Sequence, residues 1–349
     1  MKEDIHIVAV AARTPLGFNA ESSFSALRAG ISVVCEHLFY IDKHDEPVQM
    51  ALDYALNPGL GVIDRVIAMA TSVLEEICTK VDFNQSGLGD VTLFIALPET
   101  RPGWDEQDIQ TVENTIPQLS LPIKFKSISI VPKGHAAGLV VLNMASESIK
   151  NGQSKMCIIL GVDSYSDFET LSWLDNNRQL ANTYNRGAFF PGEGAGAVVI
   201  AATKTVARYK LDSLAVIRDL ALSTETKIIK TDTLCLGEGL TECVKETVKS
   251  LRLPEQTIDG VICDINGERY RAEEWGFVIL KCSNAFVDPT DYDLPAACWG
   301  DVGAASGSLF IGIAVTAGKR KWAKGNRYMI WNSSEGGQRA AALLELNIT

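Results

Sequence analysis

A single histidine is the candidate reactive group of this chain. His135 stands in the sequence GHAAG at residues 134–138, where a glycine turn opens an apolar helix. An imidazole at such a position predicts a general base, which takes a proton from a nucleophile or from water. The other three histidines, His6, His37 and His44, lie near the N-terminus, and no serine or cysteine is identified as a partner nucleophile. Hydrolysis would therefore need a directly activated water; the alternative is that His135 is a polar residue with a structural role.

The eight cysteines are scattered along the chain, with no C-x-x-C pair. This spacing favours reduced thiols in a cytoplasmic protein over a disulfide framework or a zinc site. We therefore predict no metal and no cofactor. Free cysteines are more often small buried hydrophobic residues than nucleophiles, and we interpret these in that way.

Strand-like and helix-like segments alternate along the chain. Residues 5–11, 91–97, 156–162 and 195–201 are short apolar runs that predict strands, and residues 21–29 predict the first amphipathic helix. Such alternation predicts an α/β fold with a largely parallel sheet.

One order of elements occurs twice. The glycine turns at residues 134–138 and 300–307 each open an apolar helix, which is followed by a strand, a second glycine turn and another strand. This recurrence predicts a duplication, with an N-terminal half at residues 1–205 and a C-terminal half at residues 206–349.

The composition excludes several function classes. The chain has 349 residues, 46% hydrophobic and 21% charged, with a formal net charge of −11. This acidity argues against binding of nucleic acid or of an anionic membrane, because both need clustered basic residues. The apolar run at residues 302–318 contains four glycines and is too short for a membrane span, so it predicts a buried helix. The first residues have no signal-peptide pattern, and we expect a cytoplasmic protein.

Several segments resemble the thiolase superfamily, and within it the β-ketoacyl synthases. These segments fall in both halves and in the same order as in that family. Residues 185–196 (NRGAFFPGEGAG) are similar to the family's Arg-Asp-Gly-Phe…Gly-Glu-Gly-Ala-Gly signature. Residues 13–30 resemble its opening strand, turn and first helix, and residues 134–138 stand at its nucleophile turn. Residues 300–307 (GDVGAASG) resemble its Gly-His…Gly-Ala-Ala-Gly segment, and residues 336–340 (GGQRA) its closing glycine pair.

The resemblance implies a thiolase-like fold, with two similar βαβαβαββ halves in five layers (α-β-α-β-α), usually dimeric. It places the active site between the halves and implies carbon–carbon bond formation between acyl thioesters. That chemistry uses a cysteine thiolate at a helix N-terminus. Two histidines, or a histidine and an asparagine, stabilise the oxyanion.

The residues at the family's catalytic positions differ from those that the chemistry requires. His135 stands at the cysteine position, Asn266 at the first histidine and Asp301 at the second. Glu335 stands at the aromatic gate, and Gly336 follows it in the degenerate gate and oxyanion turn. An imidazole cannot hold an acyl chain as a stable thioester, so we predict that condensing activity is lost. If the family's turns converge here, the side chains of Asn266, Asp301 and Glu335 approach His135.

Two functions follow from this pattern. The first is a catalytically degenerate β-ketoacyl synthase-like protein, itself a homodimer, that acts as a non-catalytic subunit, adaptor or chaperone-like partner. Its protein partner would be an active synthase, an acyl carrier protein or a secretion effector. The second is an acyl-group transferase or hydrolase of altered chemistry that uses a His135–Asp301 pair. A third hypothesis, an acyl-binding module, is disfavoured by Glu335, because an ionised carboxylate in an acyl tunnel is costly.

Overall fold

The computed structural model describes residues 3–228, 231 and 233–348. The strands are β1 (Ile5–Arg13), β2 (Cys35–Ile41), β3 (Pro47–Met50), β4 (Val91–Leu97), β5 (Phe125–Pro132), β6 (Met156–Ser164), β7 (Glu193–Ala202), β8 (Ala215–Thr224), β9 (Gly260–Cys263), β10 (Tyr292–Asp293), β11 (Arg327–Ser333) and β12 (Gln338–Leu346). The α-helices are α1 (Ala20–Arg28), α2 (Val62–Lys80), α3 (Glu106–Thr115), α4 (Ala137–Lys150), α5 (Phe168–Asn176), α6 (Thr203–Tyr209), α7 (Glu238–Val248), α8 (Arg269–Cys282), α9 (Ala296–Trp299) and α10 (Ser306–Lys319).

Ten strands form one mixed sheet in the order β10-β9-β11-β12-β8-β1-β7-β6-β4-β5, and β2 pairs with β3 separately. Strand β4 runs parallel to β5 and β6, and β9 runs parallel to β10 and β11. The other pairs are antiparallel, so the prediction of a largely parallel sheet is wrong. The consecutive strands β6 and β7 are joined by a segment that leaves and re-enters the sheet at the same end, and so are β11 and β12. Such a connection, unlike a crossover helix, makes neighbours antiparallel.

The strand order is symmetric about the contact between β1 and β8. Moving outward from that contact, one series reads β1-β7-β6-β4-β5 and the other reads β8-β12-β11-β9-β10, with the same chain order in each. Helix α6 spans the predicted join between residues 205 and 206. The division of the chain at that point stays a prediction, and residues 1, 2, 229, 230, 232 and 349 of the predicted halves lie outside the described residues.

Helices and sheet alternate in five layers, as the fold class predicts. Helices α2 and α3 pack on the outer face of the first strand series, and α7 and α8 pack on the outer face of the second. Helices α4 and α10 lie between the two series and share one core with the inner faces of both. This central pair carries the turns that the sequence identifies as the site, because each helix begins directly after one of them.

The two central helices cross where both carry a glycine. A Cβ on Gly138 of α4 would lie 2.9 Å from the Cα of Gly307 in α10 and 3.2 Å from the Ser308 amide nitrogen. Backbone atoms cannot move aside as a flexible side chain can. The buried helix predicted at residues 302–318 is confirmed as α10, which begins at Ser306. Its glycines allow close packing of neighbouring side chains and backbone.

We expect Gly138→Ala to lower the free energy of unfolding by about 1–3 kcal/mol, because the added methyl group overpacks this crossing. The matched control is Gly276→Ala in α8, where a Cβ would meet nothing within 4 Å. There the helix propensity of alanine should raise stability by up to about 1 kcal/mol. Urea denaturation of both variants measures the difference, and equal midpoints would contradict a tight crossing.

The strands beside the site extend beyond the predicted apolar runs. Strand β6 continues through Asp163 and Ser164, and β7 begins at Glu193. These polar residues stay buried because they bond one another and their neighbours: the Ser164 hydroxyl donates to Glu193 at 2.8 Å. No helix among the described residues is both long and apolar enough to cross a membrane.

Candidate functional site

The turn that holds His135 is a 3-10 turn, Gly134–Ala136, directly before α4. Gly134 has a φ of 60°, a conformation that glycine adopts without strain. The Ser334 hydroxyl accepts a hydrogen bond from the Ala136 amide at 2.8 Å and donates one to the Lys133 carbonyl at 2.5 Å. The segment between β11 and β12 thus fixes the turn from the other half of the sheet, and His135 is 7% exposed.

The backbone of Asp301 is fixed by the glycine-rich motif before β7. The Asp301 amide donates to the Phe190 carbonyl at 2.7 Å, and the Gly192 amide donates to the Asp301 carbonyl at 2.8 Å. A Cβ on Gly300, whose φ is 72°, would lie 2.7 Å from the Pro191 carbonyl oxygen. The motif therefore acts through its backbone, by holding the Asp301 segment.

Three of the sequence-predicted site residues form one hydrogen-bonded group. His135 Nε2 lies 2.8 and 2.9 Å from the two carboxylate oxygens of Asp301. The Asn266 side-chain amide donates to Asp301 Oδ2 at 2.5 Å, and the Gly303 amide donates to Oδ1 at 2.7 Å. The three residues that the sequence suggests as a catalytic set thus meet at one carboxylate, that of Asp301.

An arginine that the sequence analysis did not single out anchors this group from α8. Arg271 is fully buried, and its guanidinium lies 3.0 Å from Asp264 and 3.3 Å from Glu268. It also donates to the Ser333 carbonyl at 2.7 Å. Its Nη2 lies 3.3 Å from His135 Nε2. Because His135 Nε2 donates its hydrogen to Asp301, it does not accept one from Arg271. The positive charge of Arg271 instead acts on His135 through space and lowers its pKa.

Electrostatics make His135 and Asp301 an ion pair. Burial lowers the pKa of His135, but the charge of Asp301 and the hydrogen bond to it outweigh burial and the nearby Arg271, so the net shift is upward. Burial raises the pKa of Asp301, yet His135, Arg271 and the Asn266 hydrogen bond together bring it well below its usual range. The contact therefore favours the charged form of each group.

Glu335 borders a cavity of about 150 Å³ beside His135, and Gly336 follows it in the chain. The Gln179 side-chain amide donates to Glu335 at 2.6 Å and to Glu268 at 3.1 Å. The Gly336 amide donates to Glu99 at 3.3 Å. The predicted gate is therefore a carboxylate facing the cavity, and the amide of the predicted oxyanion turn is bonded to a carboxylate of the protein.

Several residues around this cavity were not predicted from the sequence. They are Glu99, Arg101, Asp163, Tyr165, Gln179, Glu268 and Arg271. Arg271 carried a detectable signal: with Trp275, Val278 and Cys282 it forms the buried face of α8 at helical spacing. A charge on an apolar face predicts a buried partner.

The site can move a proton but has no thiol nucleophile. Within the described part of the chain no cysteine borders the cavity, and all eight are free. Burial raises the pKa of Cys298 and of Cys263, the two cysteines that lie three residues before Asp301 and Asn266. Both thiols are therefore held in the unreactive protonated form.

One group elsewhere has the composition of a metal site: Glu225, Cys235 and Glu274 lie close together. The Glu274 carboxylate is already paired with Arg339, at 2.5 Å. Burial raises the pKa of Cys235 to about 11, so its thiol stays protonated. A metal ion would have to displace a buried guanidinium, and we assign none here.

Sequence comparison identifies one family in this chain. The family described as "Beta-ketoacyl synthase, N-terminal domain" matches residues 109–205. No curated protein sequence matches.

Solved structures share the fold over nearly the whole chain. A chain of "AntDE:AntF (apo): type II PKS acyl-carrier protein in complex with its ketosynthase bound to the hexaketide" is 11% identical, with a TM-score of 0.80 over 99% of this chain and 100% of that chain. A chain from the structure of the ketosynthase ApeO in complex with its chain length factor ApeC, from Xenorhabdus doucetiae, is 14% identical. Its TM-score is 0.75 over 99% of this chain and 98% of that chain. A chain of the ishigamide ketosynthase/chain length factor is 16% identical, with a TM-score of 0.69 over 98% of this chain and 99% of that chain. At these identities the likeness establishes a thiolase-like fold.

Proposed function

Because the chain is a β-ketoacyl synthase-like protein of the thiolase superfamily, we propose that it acts as a catalytically degenerate, non-catalytic subunit, adaptor or chaperone-like partner. The observation that carries this proposal is the group formed by His135, Asn266 and Asp301. It stands where the resemblance places a cysteine and two histidines. Its ionic and hydrogen bonds are satisfied within the protein, as in a structural cluster.

The chemistry of these side chains supports the proposal. An oxyanion is stabilised by donors aimed at the position where the charge develops. Asp301 is an ionised acceptor, and the Asn266 amide donates to it instead of to a substrate. Glu335 adds another carboxylate at the cavity. Such a site repels a carboxylated extender unit and leaves a thioester carbonyl without its usual donors.

The sheet offers a place for a protein partner. Strand β5 is an edge of the ten-stranded sheet, and all of its residues are at least partly exposed. An edge strand of eight residues with partly exposed apolar side chains has backbone groups that can pair with another chain. Complexes of ketosynthases with a chain length factor or an acyl carrier protein are among the similar structures, which favours a partner of that kind here.

A homodimer through this edge is part of the proposal. We expect sedimentation equilibrium at micromolar concentration to give twice the chain's 37.8 kDa. A monomer under these conditions would contradict the homodimer, and mixing that monomer with a candidate synthase would then test a heterodimer. A cytoplasmic location also belongs to the proposal, because all eight cysteines are free thiols.

The central test is acyl transfer. We expect the purified chain, incubated with acetyl-CoA and malonyl-CoA, to show neither an added acyl mass by intact mass spectrometry nor a condensation product. The reason is that no thiol stands at the cavity to carry the acyl group. An intact ketosynthase in the same assay is the positive control. A covalent acyl adduct on the folded chain would overturn the proposal.

A second candidate function rests on the His135–Asp301 contact at 2.8 Å. A carboxylate that orients an imidazole is the arrangement of a general base, which could activate a water for thioester hydrolysis. If the chain is such a hydrolase, His135→Ala removes the base and turnover falls to background. Equal rates in the wild type and His135→Ala would reject this candidate.

A further inference from the structure

The cavity beside His135 has the size of a small-molecule site. Its volume is about 150 Å³. An engineered apolar cavity of about 150 Å³ binds benzene, so a molecule of about six heavy atoms fits. The walls come from both strand series: Glu99 and Tyr165 lie on one side, and Glu268 and Glu335 lie on the other.

Negative charge predominates in this cavity. Four carboxylates line it, and the carboxylates of Asp264 and Asp301 lie directly behind its wall. The opposing cations are Arg101, Arg271 and His135, so acids outnumber cations by two to one even with His135 protonated. The lining carboxylates are those of Glu99, Asp163, Glu268 and Glu335.

The cations of the wall are already engaged by carboxylates of the protein. Arg101 lies 2.7 Å from Asp163, and its guanidinium stacks 4.2 Å from the Tyr165 ring centroid. Arg271 pairs with Asp264 and Glu268, as described above. Burial raises the pKa of Tyr165 well above its usual value, and the charges of Asp301 and Asp163 raise it further. The cavity therefore has a negative potential that an anionic ligand would have to overcome.

Aromatic side chains of Tyr165, Trp173 and Phe189 also line the cavity, and the Tyr165 ring already stacks with a cation of the protein, Arg101. Ring faces attract cations through their quadrupole, and a partly desolvated site strengthens this attraction. Carboxylates and aromatic rings around one small volume are a suitable environment for an ammonium or guanidinium group.

We propose that this cavity binds a small organic cation, an alkylammonium or guanidinium compound of about six heavy atoms. This inference goes beyond the proposed function, since a non-catalytic subunit needs no ligand. The acyl-transfer and partner experiments do not depend on it, so the two proposals fail separately.

Calorimetric titration of the chain tests the proposal with two probes of similar size and opposite charge, n-butylammonium (five heavy atoms) and butyrate (six). We expect saturable binding of n-butylammonium and at least tenfold weaker binding of butyrate. Raising the salt concentration should weaken the n-butylammonium affinity, because screening reduces the attraction. Equal or tighter binding of butyrate, or no saturable binding of n-butylammonium, would overturn the proposal.

Variants locate the site. Glu99→Gln keeps the size of the side chain but removes its charge, and we expect the dissociation constant for n-butylammonium to rise at least tenfold. Glu335→Gln is the second test variant. The matched control is Glu113→Gln, an exposed residue of α3 outside the cavity, which should leave the constant unchanged. Correctly folded Glu99→Gln and Glu335→Gln proteins that bind n-butylammonium like the wild type would place the cation elsewhere and refute the inference.

Discussion

Arg271→Met is expected to lower the free energy of unfolding by about 3–5 kcal/mol, the cost of removing one partner from a buried ionic group. Methionine fills much of the space of the arginine stem but leaves two buried carboxylates, Asp264 and Glu268, without their cation. It also leaves the Ser333 carbonyl without its donor. Burial already raises the pKa of Asp264. In the variant Asp264 should therefore take up a proton, and the stability loss should shrink as the pH falls.

The matched control is Arg269→Met, two residues earlier on the same helix. Arg269 pairs with Glu273 at 2.6 Å, but its side chain is 86% exposed. Exposed ion pairs of this kind contribute little, so we expect no measurable change. Urea denaturation of both variants at pH 7 compares a buried with an exposed arginine on one helix. A loss below 1 kcal/mol for Arg271→Met would contradict the role of this residue as the anchor of the group.

The sequence predicts β1, β4, β6 and β7 because these strands are almost entirely buried on both faces. Strand β4 occupies the predicted residues, Val91–Leu97, since all of its side chains are buried and all but Thr92 are apolar. Strands β6 and β7 run beyond the prediction where buried polar residues replace apolar ones. Alternation of strands and helices does not reveal direction, so the antiparallel pairs were missed.

The site was predicted only as far as the resemblance carried it. His135, Asn266, Asp301, Glu335 and Gly336 were found because glycine turns mark their positions in the chain. Whether they form a catalytic set stays a prediction, although the first three are in hydrogen-bonding contact.

The charged residues around the cavity escaped prediction because they come from elements with no recognisable turn. Arg271 lies inside a helix, and Glu99 follows a strand. Burial of a charge depends on which partners the tertiary fold brings to it, and local spacing contains little of that information.

The contacts of the site explain how the fold accommodates a buried carboxylate at Asp301. Placing Asp301 in a buried turn would be costly in isolation, because an unpaired carboxylate loses its hydration. His135 and Asn266 supply the missing charge and donor, and Arg271 balances the acids behind them. These side chains are therefore mutually dependent, and changing one of them alone would leave another charge without its partner.

His135→Gln tests this dependence through pH. Because the pKa of His135 is raised in the folded protein, its ion pair contributes fully below the unfolded value of about 6.5. That contribution is lost as the pH rises through the folded pKa. The pKa of Asp301 is lowered, so its contribution is present above the unfolded value of about 3.9 and is lost in acid. The pair should thus stabilise the fold most between these two values.

We expect His135→Gln to lose about 2–3 kcal/mol at pH 5.5, the value of a hydrogen bond to a charged group, and clearly less at pH 9. The control is His6→Gln. Burial lowers the pKa of His6, so its contribution to the free energy of unfolding changes with pH in the opposite direction. Relative to that variant, the wild type should therefore lose stability as the pH falls. Urea midpoints at both pH values measure these differences. An equal loss for His135→Gln at pH 5.5 and pH 9 would mean that packing, and not the ion pair with Asp301, is what His135 supplies.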